Sequence, residues 1–202
     1  MTTKSSKRFQ DLLLKYSQTE DVRERKKIET ILWKDYGREQ AVFVLDMSSF
    51  SLLTRKCGIV HYLSMVRRMQ LTCEPIVKSF DGLMIKFEAD NCLSVFPMPL
   101  QAVNAAIAMQ HAFEASNLVT EENRDIHISC GIDFGRIMII DDEDCFGDAV
   151  NRASKLGEDV AGAGEIIVTK EAMRLIPPDA DIKARRVNLF ISGIKIPAFV
   201  IE

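Results

Sequence analysis

Residues 41–54, AVFVLDMSSFSLLT, decide how the chain is read. Ala41 to Leu45 is a continuous apolar run, mostly β-branched or aromatic, which is the signature of a buried strand. It ends in Asp46, and Ser48 and Ser49 are good N-caps for a following helix. That helix is expected to break near Gly58, resume at His61 and reach about Phe80, where Asp81-Gly82 signals a turn.

Working outward, LMIKF (83–87) and CLSVF (92–96) read as two strands joined by the short turn EADN. A helix follows Pro97 and Pro99, with Val103, Ala106, Met109 and Phe113 on one face. IHISCGIDFG (126–135) reads as a strand with RIMII (136–140) as its hairpin partner, and DDEDCFG as an acidic loop. GDAVNRASKLGEDV is helical, EIIVT a strand and KEAMRLI a short helix stopped by Pro177-Pro178. VNLFI and IPAFVIE close the chain as an antiparallel pair. Upstream, residues 1–37 are charged, with Phe9, Leu12, Leu13, Tyr16, Ile28, Ile31 and Leu32 at helical spacing, so one or two amphipathic helices should end near Gly37. The order predicts an α+β fold, with helices covering one face of a mostly antiparallel sheet.

Composition narrows the function. A chain of 202 residues, 47% hydrophobic, has a sizeable core and suits one domain with an extension, or at most two small domains. A net charge of −3 gives no hint of a nucleic-acid or membrane surface, and no apolar run reaches the length of a membrane span. Cys57, Cys73, Cys92, Cys130 and Cys145 are scattered without a C-x-x-C pair, which argues against zinc and disulfides and for a cytoplasmic location.

Several residues can carry chemistry. Asp46 and Asp90 each sit at a strand end, and Mg²⁺ takes one or two carboxylates plus substrate phosphate oxygens. The amides of Met47, Ser48, Ser49 and Phe50 would form a helix N-terminus that favours phosphate. Taken singly, an Asp before a helix is usually a cap and Asp-Asn between strands usually a turn. Asn151 and Lys155 share a helix face, where a neutral donor beside a cation suits phosphoryl charge, although a solvated face is the commoner meaning.

Three blocks in order lift these signals. VFVLDMSSFSLLT (42–54), IKFEADNCLSVF (85–96) and DCFGDAVNRASK (144–155) together resemble the class III adenylyl and guanylyl cyclase domain. Ser49 replaces the family's usual Gly, Ser51 its Thr, Ala89 a common Gly and Lys155 an Arg. The resemblance covers residues 40–202, making 1–37 a helical extension and 38–202 the catalytic domain, with a ferredoxin-like βαββαβ core.

It further implies an adenylate cyclase that forms cyclic AMP and pyrophosphate from ATP. Asp46 and Asp90 would hold two Mg²⁺ or Mn²⁺ ions, and Met47 to Phe50 would cradle the β and γ phosphates. Lys86 and Asp144 would read adenine, Asn151 would position the ribose, and Lys155, with Arg152 as a possible helper, would meet the α-phosphate. Lys195 is a candidate for the triphosphate. A homodimer would complete two shared sites, with the N-terminal helices packing on the domain or across the dimer. Cyclic pyrimidine or guanylate production, and a nucleotide-binding domain without turnover, remain open alternatives.

Overall fold

The computed structural model describes residues 3–48, 55–191 and 194–202, without the side chains of residues 191–195. Strand β1 (Gly37–Met47) is the axis of its sheet. β1 pairs with β3 (Asn91–Phe96) on one edge and with β4 (Ile128–Ile140) on the other. Ala41 to Leu45 are therefore 0–2% exposed, as the unbroken apolar run requires. The strand starts at Gly37, earlier than its apolar run, because β4 lies beside its whole length.

The sheet order is β2 (Leu83–Glu88), β3, β1, β4, β6 (Ile166–Thr169), β8 (Ile194–Ile201), β7 (Ala184–Ile191), with the short β5 (Asp144–Phe146) paired to β4. Helix α3 (Ile59–Ser79) follows β1 after Gly58, and α4 (Pro99–Asn117) follows β3. With β2-β3-β1-β4 all antiparallel, this is the expected ferredoxin-like βαββαβ core. The closing β7–β8 hairpin is antiparallel as expected, but β4 and β6 are parallel. A helical crossover between them makes that direction possible.

Two expectations need correction. Residues 126–135 and 136–140 are not a hairpin: β4 runs unbroken from Ile128 to Ile140 and Gly135 lies within it. The chain reverses instead through the three residues Asp141 to Glu143: the Glu143 amide donates to the Ile140 carbonyl at 3.0 Å, and Asp141 and Asp142 have φ values of 53° and 58°, as in a β-turn of the primed kind. The acidic loop is thus a β-turn that delivers Asp144 onto β5, opposite Ile140. Nor do helices cover one face alone. Helices α3 and α4 pack over Phe43, Leu45 and Met47, while α5 (Asp148–Ser154) packs Ala149 and Ala153 against Val42, Val44 and Ile137. A β1 run that is apolar on both faces demands both covers.

Two glycines let α5 and the π-helical turn after it (Lys155–Val160) lie directly on the sheet. A Cβ on Gly131 would stand 2.1 Å from the Ala153 carbonyl oxygen, and one on Gly157 2.8 Å from that of Val44. Close backbone approach of this kind excludes any side chain.

At the N-terminus, α1 (Lys4–Gln18) is capped by Thr3 and α2 (Val22–Tyr36) by Asp21. Phe9, Ile28, Leu32 and Tyr36 bury together with Ile140 and Met138 of β4. The Arg136 guanidinium lies 4.2 Å over the Trp33 ring, a cation–π contact across the same joint. Among the described residues no helix is long and apolar enough to cross a membrane.

The β2–β3 turn carries a local strain. Ala89 has φ 52°, a left-handed conformation that disfavours a Cβ. Ala89→Gly should raise stability by about 0.5–1 kcal/mol, because relief of that clash exceeds the added chain entropy of glycine. Chemical denaturation of the two proteins measures the difference; a loss of stability would refute the strain.

Candidate active site

The register of the sheet brings the two candidate metal carboxylates together. Asp46, next to last in β1, lies opposite Asn91, the first residue of β3, and Asp90 immediately precedes Asn91 in the β2–β3 turn. Partial burial, then the charges of Asp90 and Glu158, push the Asp46 carboxyl up to about 7. Burial raises Asp90 as well, against its own backbone amide and the Tyr62 hydroxyl, which lies 3.5 Å from Oδ1. Two carboxylates that burial makes harder to ionise, with the charge of Asp90 adding to the rise at Asp46, are what a divalent cation relieves. Among the described residues no three His, Cys, Asp or Glu side chains converge to hold a metal. Two carboxylates such as Asp46 and Asp90 fit a hard cation that completes its shell with water and phosphate oxygens.

The phosphate cradle is altered. Met47 is buried in β1, and the Ser48 N–H already donates to the His127 carbonyl at 2.8 Å. Ser49 and Phe50 lie outside the described residues, as does the Lys195 side chain.

A second group of candidates lines a pocket of about 490 Å³: Lys86, Asp144 and Asn151, joined by Asn91, Phe146 and Glu158. Lys86 Nζ lies 3.2 Å from Asp144 Oδ1 and 3.4 Å from Glu88 Oε2. Burial pulls the Lys86 pKa down, but Asp144 and Glu88 outweigh it and leave it above the usual lysine value. The Cys145 amide donates to Asp144 Oδ1 at 3.0 Å and fixes that carboxylate at the mouth of β5. The pair thus offers one fixed donor and one fixed acceptor side by side. An aminopurine edge presents the matching acceptor and donor. Buried in the same wall, Asn91 Oδ1 has no hydrogen-bond partner.

Lys155 is not brought to this pocket. It begins the π-helical turn, and its Nζ pairs with Asp159 Oδ2 at 2.5 Å, which raises its pKa. Arg152 cannot take its place. Its Nε bonds the fully buried Asp133 at 2.5 Å, and its Nη1 reaches Asp148 at 3.2 Å. Asp133 also accepts from the Thr169 hydroxyl. Burial raises the Asp133 pKa, and the Thr169 and Arg152 contacts only partly offset it. Arg152 therefore fastens α5, which carries Asn151, to β4.

Sequence reasoning missed Tyr62, Glu158 and Phe146. Nothing in their local sequence marks them; only the fold brings α3, the π-helical turn and β5 to these places.

Comparison with known proteins gives a consistent picture. Residues 35–201 match the family model described as the adenylate and guanylate cyclase catalytic domain. A Rhizobium meliloti (strain 1021) protein named "Putative adenylate cyclase 3" is 33% identical over 133 residues, which is 65% of this chain but 22% of that protein. The chain thus matches under a quarter of that relative's length. The adenylyl cyclase CyaB from P. aeruginosa superposes with a TM-score of 0.69 at 20% identity, over 82% of this chain and 95% of its own. A dimeric guanylyl cyclase domain from the aquatic fungus Blastocladiella emersonii gives 0.69 at 18%, over 82% and 97%. At these identities the two structures share the fold.

Proposed function

Because this chain belongs to the adenylate and guanylate cyclase catalytic domain family, we propose that it converts ATP to 3′,5′-cyclic AMP and pyrophosphate. Residues 38–202 form the catalytic domain and residues 1–37 a helical extension. The observation that carries the choice of adenine is the Lys86–Asp144 pair at 3.2 Å on one pocket wall. Lys86 would donate to ring N1, and Asp144 would accept from the 6-amino group.

In the reaction the ribose 3′-oxygen attacks the α-phosphorus in line. A new P–O bond forms, the bond to the β-phosphate oxygen breaks, and the hydroxyl proton is lost. The family generally uses divalent metals. Two Mg²⁺ or Mn²⁺ ions held by Asp46 and Asp90 would lower the pKa of the 3′-hydroxyl and neutralise the triphosphate. Asn151 orients the ribose from the pocket wall.

A dimeric guanylyl cyclase domain of the same fold supports a homodimer in which one protomer supplies Asp46 and Asp90 and its partner supplies Lys86, Asp144, Asn151 and Lys155. Lys155 would have to exchange Asp159 for the α-phosphate, and that engagement favours low turnover as the second reading.

Mass spectrometry of products from an equal mixture of ATP, GTP, CTP and UTP, with Mg²⁺ and separately with Mn²⁺, tests the proposal. Cyclic AMP should dominate. A cyclic pyrimidine or cyclic GMP would keep the mechanism and refute the base assignment. Binding with no cyclic product under either metal would refute turnover.

A further inference from the structure

The N-terminal helices do more than cover the sheet. Phe9 of α1, only 8% exposed, stacks on Phe146 with ring centroids 6.3 Å apart and planes 11° from parallel. Its edge meets Tyr36 of α2 at 5.0 Å, so its ring is held from two sides. Phe146 lines the Lys86–Asp144 pocket and is still 50% exposed. Phe9 therefore flanks the Phe146 ring in a near-parallel, offset stack, and half of Phe146 stays open to solvent and pocket.

The strand beneath is seated on the same helices. Asp144 and Phe146 of β5 pair with Ile140 and Met138 of β4. Those two residues are the ones that pack with Phe9, Ile28, Leu32 and Tyr36. At the turn between the strands, the Thr3 hydroxyl donates to Asp141. The helices thus contact β4, the turn and β5, the three pieces that place Asp144.

We infer that Phe9 is a positioning residue for nucleotide selection: it fixes the Phe146 ring as an apolar wall for the base and holds Asp144 in register with Lys86. This inference rests on the reading of the pocket as the base site. An aromatic ring is a sequence-tolerant platform for a nucleobase, and backing it with a second ring removes rotamers that would otherwise be lost on binding. The helical extension accordingly forms part of the specificity apparatus.

Phe9→Leu keeps an apolar side chain and removes the stacked ring, and Phe9→Tyr keeps the ring. In the full chain, Phe9→Leu should raise KM for ATP about 3- to 10-fold with kcat within about twofold, the range expected for one lost aromatic pair. The preference for ATP over GTP should fall with it, and Phe9→Tyr should recover both. A merely structural role would lower the folded fraction and kcat while leaving KM and preference unmoved. Calorimetric titration with α,β-methylene ATP supplies a readout independent of turnover. Wild-type and Phe9→Leu proteins that bind the analogue equally, with equal KM, would overturn the inference. Binding without cyclic product would sink the cyclase reading alone, provided Phe9→Leu still weakened binding. Absence of binding by the wild type would sink both.

Discussion

Asp46→Asn should leave less than about a thousandth of the cyclase activity and yet raise the melting temperature of the metal-free protein at pH 8. Both effects come from the same carboxylate. For activity, Asp46 is one of two oxygen donors proposed for the metal ions, and a neutral amide cannot offset their charge. For stability, folding lifts the Asp46 carboxyl from 3.8 to about 7. An acid with a raised folded pKa opposes folding only where it must ionise. The penalty is absent below the unfolded value, grows between 3.8 and about 7, and is complete above that. The carboxylate is partly solvated, so the gain on replacing it is about 1–2 kcal/mol rather than the full worth of the shift. That corresponds to roughly 2–8 °C for a chain of this size. The gain should vanish by pH 4, and Mg²⁺ or Mn²⁺ should stabilise the parent and not the variant. Calorimetry in chelator at pH 4, 6 and 8 reads all three. A variant less stable than the parent at pH 8 would contradict the paired-carboxylate site.

Arg152→Met is the second large effect, expected to cost about 3–5 kcal/mol at neutral pH. The methionine fills the stem of the arginine but leaves Asp133, which is fully buried, without its cation. Only the Thr169 hydroxyl and the Phe134 amide then oppose the desolvation of that carboxylate. Because burial already raises the Asp133 pKa, losing the guanidinium raises it further. The destabilisation should therefore be largest well above the usual carboxylate range and shrink as the pH falls and Asp133 takes up a proton. Urea melts at pH 5 and pH 8 test the sign. A loss independent of pH would mean that packing, and not charge, is what Arg152 supplies. Asn151 should also shift in the variant, since α5 is fastened to β4 through this contact.

The parts legible in the sequence are those written in short stretches. The Ala41–Leu45 run announces a strand covered on both faces, and the turn at Asp90 and the helix at Asn151 sit where their motifs put them. Even the departures carry information: Ala89, where the family favours glycine, takes the left-handed conformation that glycine would take freely. What stayed hidden depends on pairing across the chain. Gly135 looks like a turn residue, yet β1 runs alongside it and keeps β4 straight. The reversal falls on two aspartates instead, because they tolerate positive φ. Arg152 reads as a spare cation near the phosphates until Asp133, nineteen positions upstream, is seen to hold it. The Ser48 amide reads as free until the carbonyl of His127 meets it.

The contact between Trp33 and Arg136 has a practical consequence. The chain contains a single tryptophan, and it stands at the seam between α2 and β4. All indole emission from the purified protein therefore reports on one place. Separation of the N-terminal helices from the sheet would carry the guanidinium away and admit water, shifting the emission to the red. Undocking could be followed in a stopped-flow instrument without attaching a dye, on the same sample and timescale as turnover.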